Sequence, residues 1–503
     1  MMVYNFFIRA FNIDRQLPML IKNGLNGFLF NISKTSWFTS VIYVFFTFLS
    51  FLIIFVVGCL TYTHLVLRGY AFTIPRGLFC FDSISVGLVF ITSTIFPWCF
   101  LYVHSREDRH FWALYLIVTE VLVVLAFISL DLLVFFIIFE LLIFPMYKLI
   151  LGWGSKGDLR LTAAKSFIMY TVLGSILLLF TIVLLHSMFG TTNILLLRNH
   201  SIWLPDTIII VIFIAFATKV PTFPFYHWLT LAHVEASTVG SVILAALILK
   251  LGSYGFIRFL IPLYREHLYF YLWSYIAVVL FIVSILFAAL SAAVQTDIKR
   301  IVAYSSIEHM NLSMLGLALF SSTSAIGSYI IIIAHGWIAA GLFFAVGWLY
   351  DSRHQRDILY YRGYAAIDGW WSVLFGLLLL ANIGFPFTLN FLGEIQILIT
   401  VFGREPYLLG LIFFVIMANI FYSLKLGFIM WGAPYSFLLN PPKYSVFKQI
   451  LLVLLLGVPL LLVIVASHPE IYQKVTVVLA NCFSFWGLAP VGTFWPNIRP
   501  GWL

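Results

Sequence analysis

Five ionisable residues stand inside stretches that are otherwise apolar enough to cross a membrane: Glu120, Glu140, Lys219, Lys250 and Glu394. A charge at the centre of a bilayer costs roughly 2.5–3.5 kcal/mol on insertion scales. Lys219 and Lys250 lie eight or more residues from the nearer expected loop, about 12 Å at the helical rise, too far for a lysine stem to reach water. Lys148 stands three residues from a span end and is expected to snorkel. Burial disfavours the charged form of acids and bases alike, so such groups exchange protons at little cost. The set therefore points to proton transfer across a membrane. The bland alternatives are neutral hydrogen-bonded acids, a structural ion pair, and satisfied core histidines such as His335.

Two interruptions accompany these charges. In "KVPTFPFYHWLTLAHVEAS", Pro221 and Pro224 remove backbone donors just after Lys219. In "ANIGFPFTLNFLGE", Pro386 does so beside Gly384 and eight residues before Glu394. Broken helices at corresponding places in two halves mark transport sites. The first break is expected to let backbone, His227, His233 and water meet Lys219. The echo of "LKLG" at 249–252 and 424–427 is a weak sign of repetition.

Of 503 residues, 63% are hydrophobic and 9% charged, against about 25% charged in soluble domains. Apolar runs dominate and strand-type alternation is absent, which predicts an all-α, polytopic transmembrane helical bundle. The four cysteines, Cys59, Cys80, Cys99 and Cys482, have no CxxC spacing. With no Gly-rich phosphate loop either, no cofactor or nucleic acid is expected on the chain. The 52 phenylalanines hint at an AT-rich, organellar gene. The N-terminus resembles neither a secretory signal nor a transit peptide.

Thirteen spans are expected, near 41–63, 81–104, 112–130, 132–151, 166–187, 207–230, 236–257, 270–294, 301–320, 327–349, 372–400, 406–431 and 448–467. A polar or interfacial segment, 1–40, precedes this bundle (41–468), and a tail, 469–503, follows it. Sixteen Lys and Arg fall in loops on the N-terminal side and eight opposite, Arg258 among the eight and Lys299 among the sixteen. That bias puts the N-terminus inside.

The runs "FELLIFPMYKLI", "KVPTFPFYHWLTLAHVEASTVGSVILAALILKLGSYGFIRF", "DIKRIVAYSSIEHMNL", "AHGWIAAGLFFAVGWLYDSRHQRDI" and "ANIGFPFTLNFLGE" resemble, in order, the antiporter-like subunits of respiratory complex I. The resemblance covers roughly 80–430. The subunit-4 type is similar in ending its twelfth-span motif with glutamate, here Glu394. The resemblance implies a proton-translocating membrane-arm subunit of NADH–ubiquinone oxidoreductase in the mitochondrial inner membrane, with inverted repeats and two broken helices. It implies that Glu140 modulates Lys219, that Lys250 carries the proton onward with His233 and His335 as relays, and that Glu394 is the exit group. His227 and His309 match motif positions; Glu120 and Lys425 match none.

The implied partners are other antiporter-like and accessory subunits and lipids such as cardiolipin. NADH, FMN, iron–sulfur clusters and ubiquinone are implied to belong to the rest of the complex. The family has fourteen core helices, and the first is the one expected to be missing. A sodium–proton antiporter subunit without redox partners, or a structural subunit with dead channels, would use the same residues differently.

Overall fold

The computed structural model describes residues 72–73, 78–103, 109–154, 157–199, 205–264, 270–404, 406–432 and 479. The expected first and last spans, the segment 1–40 and the tail 469–503 lie outside them. Within this region every expected span is met by a helix or a broken pair. The helices are α1 (Ser83–Val103), α2 (Arg109–Ile128), α3 (Leu132–Trp153), α4 (Asp158–Phe189), the short α5 (Ile194–Asn199), α6 (Asp206–Lys219) and α7 (His227–Glu235). They continue with α8 (Thr238–Leu263), then α9 (Phe270–Val294), α10 (Ile298–Ala318), α11 (Ser322–Arg353), α12 (Gly369–Ile383), α13 (Leu389–Arg404) and α14 (Leu409–Trp431). Eight helices of the described residues are long and apolar enough to cross a membrane, nine if the bent pair ending at Ile383 counts as one span. A two-residue antiparallel pair, β1 (Phe72–Thr73) with β2 (Cys80–Phe81), precedes α1.

The bundle is built twice. One series runs α2, α3, α4, α6–α7, α8; the other runs α9, α10, α11, α12–α13, α14. In each, the second helix starts on an aspartate that accepts from the next-but-one and following amides, Asp131 in α3 and Asp297 in α10. Such N-caps satisfy donors that a helix start leaves orphaned. In each, the third helix has 32 residues and ends on a left-handed residue, Gly190 or His354. The chain then returns to bridge the same aspartate, Asp131 with Asn193 and Asp297 with Asp357. The fourth member of each series is broken. The "LKLG" echo falls in the fifth member of both.

Lipid tails are as apolar as leucine, so packing, small residues and polar contacts hold membrane helices together. The interior helix α8 is buried along its whole length and α11 nearly so, whereas less than half of α4 and of α14 is buried. Gly252 of α8 lies against Val220 and the Lys219 stem, where a Cβ would meet the Val220 side chain at 2.7 Å.

Two loop assignments are corrected. Arg258 is fully buried inside α8, which runs on past the expected end at 257. Its guanidinium donates bidentately to Asp82, 2.6 Å to Oδ2 and 2.8 Å to Oδ1, and its Nε donates to Tyr254 at 3.0 Å. Tyr254 in turn donates to the Ser129 carbonyl. Lys299 is also buried, its ammonium donating to the Ala236 carbonyl at the end of α7. Beside it Arg356 pairs with Glu235 at 2.9 Å. Removing one residue from each side leaves fifteen loop charges against seven, so the bias stands.

Candidate proton path

The first break spans Val220–Tyr226 between α6 and α7. Pro221 and Pro224 interrupt the ladder, and the carbonyls set free are taken by side chains. Thr222 Oγ1 donates to Ala217 O, Trp228 Nε1 to Thr218 O, and Asn311 Nδ2 to Pro221 O. The Phe223 amide finds Ser284 Oγ. Buried backbone groups need partners of this kind in a membrane.

Lys219 is the last residue of α6. Its ammonium donates to Thr171 O and Ser175 Oγ of α4, both at 2.8 Å, and sits 3.8 Å from the centroid of the Phe139 ring. Glu140, the next residue on α3, is the carboxylate whose field reaches Lys219. Its Oε1 is buried without a hydrogen-bond partner. Glu140 therefore acts through space, and the polar contacts of Lys219 come from α4. His227 faces outward, and His233 is grouped electrostatically with Lys299 and Lys250. The expectation that both histidines meet Lys219 is thus corrected: the proline break turns His227 to the surface and carries His233 toward the end of α7.

Lys250 sits at the core of α8. A π-helical turn, Leu244–Ile248, shifts the backbone register so that the Leu249 amide reaches Leu244 O. The Ala245 carbonyl, which an α-turn would pair with that amide, instead accepts from the Lys250 ammonium at 2.7 Å. Such bulges recur at functional sites. The same ammonium lies 2.8 Å from His335 Nδ1 on α11. The His335 ring is 5.6 Å, centroid to centroid, from His309 on α10, and His309 Nδ1 is 3.8 Å from Glu394 Oε1. His233 stacks on Phe343 at 4.5 Å, fully buried, with neither ring nitrogen hydrogen-bonded.

The second break, Gly384–Thr388, joins α12 to α13. Gly384 takes a left-handed φ of 76°. Asn390 Nδ2 donates to Ala381 O, and Asn419 Nδ2 to Asn382 O. Glu394 lies over Gly384, so closely that a Cβ there would press into its carboxylate.

The path thus joins α10, α8, α11 and α13 through Lys250, His335, His309 and Glu394, with Lys219 and Glu140 as a separate group behind α8. Sequence reasoning passed over Glu308, buried next to His309, and Tyr422, which donates to it at 2.9 Å. It also passed over Thr171, Ser175 and Asn311. Only Glu308 carried a visible signal, a carboxylate in an apolar helix. Lys425 caps α9 by donating to Ala293 O and Gln295 O. Glu120 is buried on α2. Among the described residues no group of three or more His, Cys, Asp and Glu could hold a metal ion.

Residues 129–420, more than half of the chain, match the family described as the NADH:quinone oxidoreductase/Mrp antiporter transmembrane domain. The NADH-ubiquinone oxidoreductase chain 4 of Marchantia polymorpha is 38% identical over 331 residues, 64% of this chain and 66% of that one. The chain 4 of Acanthamoeba castellanii is 36% identical over 349 residues, 69% of this chain and 70% of that one. The chain belongs to this family, in its chain 4 branch. The aligned stretches span about two thirds of those relatives' length. Among solved structures, a chain of respiratory complex I from Thermus thermophilus with bound NADH is similar, with a TM-score of 0.75 and 25% identity, covering 87% of this chain and 95% of that chain. A chain 4 protein is a multi-pass membrane protein of the antiporter-like fold.

Proposed function

We propose that this chain is a proton-translocating membrane-arm subunit of NADH–ubiquinone oxidoreductase, resident in the mitochondrial inner membrane with its N-terminus on the matrix side. The observation that carries the reading is the contact series Lys250–His335–His309–Glu394, a string of buried titratable groups through the centre of the bundle. Glu140 and Lys219 form the uptake group on the matrix side. A charge change at Glu140 alters how strongly Lys219 holds its proton, because no ion pair fixes the two together. Thr171 and Ser175 orient the ammonium. Lys250 takes the proton onward, His335 and His309 relay it, and Glu394 releases it outward. His233 supplies a further neutral ring close to Lys250.

The energy comes from quinone reduction elsewhere in the complex, in which this chain is a non-redox part. NADH, FMN, the iron–sulfur clusters and ubiquinone are assigned to other subunits. Neighbouring antiporter-like and accessory subunits, with lipids such as cardiolipin, are the partners.

The test is the proton-to-electron ratio of the assembled complex in vesicles after Glu140→Gln. A lowered ratio with intact assembly supports the reading; an unchanged ratio ends it. The family also includes Mrp antiporters, so the same vesicles are assayed for sodium. Sodium-driven proton movement without NADH would favour an antiporter.

A further inference from the structure

Glu308 is a buried carboxylate for which the path above has no use. It is 2% exposed, on α10, and Tyr422 of α14 is its hydrogen-bond donor. It lines a narrow cleft together with His309, Glu394 and Asn419, the remaining walls being aliphatic side chains of α9, α10 and α14. We propose that Glu308 is a second proton-carrying carboxylate, paired with Glu394 across this cleft so that the two hold one proton between them. The proposal rests on the proton-translocating reading.

Few polar groups face the pair. From α10 comes His309, 3.8 Å from Glu394 Oε1. From α14 come Tyr422 and Asn419, and from α9 only Ile282 and Ile285. Asn382 of α12 stands behind, held through its carbonyl by Asn419. Beyond His309 lie His335 and then Lys250. No lysine or arginine of the described residues forms an ion pair with either carboxylate. Each carboxylate lies within the other's field. Two carboxylates in an apolar cleft without a cation cannot both be charged, and one retains a proton.

Glu394 Oε1 has no hydrogen-bond donor, whereas Glu308 Oε2 accepts from Tyr422. The donor favours the ionised form of Glu308 over that of Glu394. A proton arriving from His309 therefore goes first to Glu394. A second arrival forces one proton across to Glu308, and that proton leaves through the cleft, which restores the singly protonated pair. A purely structural Glu308 would need only to accept from Tyr422, which a glutamine does equally well.

The experiment uses the whole complex in native membranes carrying Glu308→Gln, Glu308→Asp, Tyr422→Phe or Glu394→Gln. Proton pumping per NADH oxidised is followed across pH. We expect Glu308→Gln to lower pumping severalfold and Glu308→Asp to restore most of it. Tyr422→Phe should move the pH profile upward, because Glu308 loses the donor that favours ionisation. Wild-type ratios and profiles in both Glu308→Gln and Tyr422→Phe, with Glu394→Gln defective, overturn the pair alone. Normal pumping in Glu394→Gln as well overturns the proton reading beneath it. Should Glu308→Gln fail to assemble, the profile of Tyr422→Phe decides.

Discussion

Lys250 and His335 contend for one proton: Nζ and Nδ1 are 2.8 Å apart, and only one of the two can be the donor. When the lysine is charged it donates and the ring is neutral, with its hydrogen on Nε2. His335→Leu removes the acceptor and leaves Ala245 O as the partner. The relayed step should slow by about a hundredfold or more, the lower range for loss of a positioned acid–base group, and proton pumping per NADH should fall with it. His335→Gln, which offers a carbonyl oxygen, should assemble normally yet pump poorly, since it does not relay.

Glu140 and Lys219 act across a gap. Because Thr171 and Ser175 hold the ammonium, Glu140→Gln should leave assembly intact, as read on a native gel stained for NADH oxidation. Coupled activity should drop sharply. Ser175→Ala removes one hydrogen bond to a charged group, about 1.5–3 kcal/mol, and should impair coupling less than Glu140→Gln does.

Gly384 is held at φ 76° under the Glu394 carboxylate. A non-glycine residue in that conformation costs about 1–2 kcal/mol. Gly384→Ala adds a methyl where Glu394 now lies and should displace it. The expected result is a complex with a slightly lower melting temperature and strongly reduced pumping, whereas Gly403→Ala, with open space around its Cβ, should change neither.

Arg258 and Asp82 form a bidentate pair, both side chains essentially buried. Removing one partner leaves an unpaired charge, at a cost of about 3–5 kcal/mol. Arg258→Leu and Asp82→Leu should each reduce the assembled complex on native gels. The double variant should recover more than either single one, because no orphan charge remains.

The sequence carried some of this plainly and hid the rest for identifiable reasons. The two breaks were legible because proline and glycine act locally, and Lys219, Lys250 and Glu394 because a charge stands out in an apolar run. Arg258 was misread because it stands one residue beyond the expected span, and its partner is 176 residues away in the chain. No single sequence displays that pairing. Glu308 was hidden among the hydroxyls and histidine of "AYSSIEHMNL", a stretch polar enough to blunt the contrast. His227 and His233 were placed with Lys219 by proximity in sequence, which the turn at Pro221–Tyr226 does not preserve. The hydroxyls of Thr171 and Ser175 are ordinary for a membrane helix, and only the fold gives them a lysine to hold.

The π turn before Lys250 has a consequence at the level of the gene. It is one codon more than a regular helix would need. Deleting a single residue from Leu244–Ile248 would let the ladder close in α register and leave the helix beyond it facing much as before, because the wide turn already absorbs the extra residue. The carbonyl that the Lys250 ammonium now holds would return to the backbone ladder. The extra codon thus marks the place where the helix gives up one ladder bond for a lysine contact.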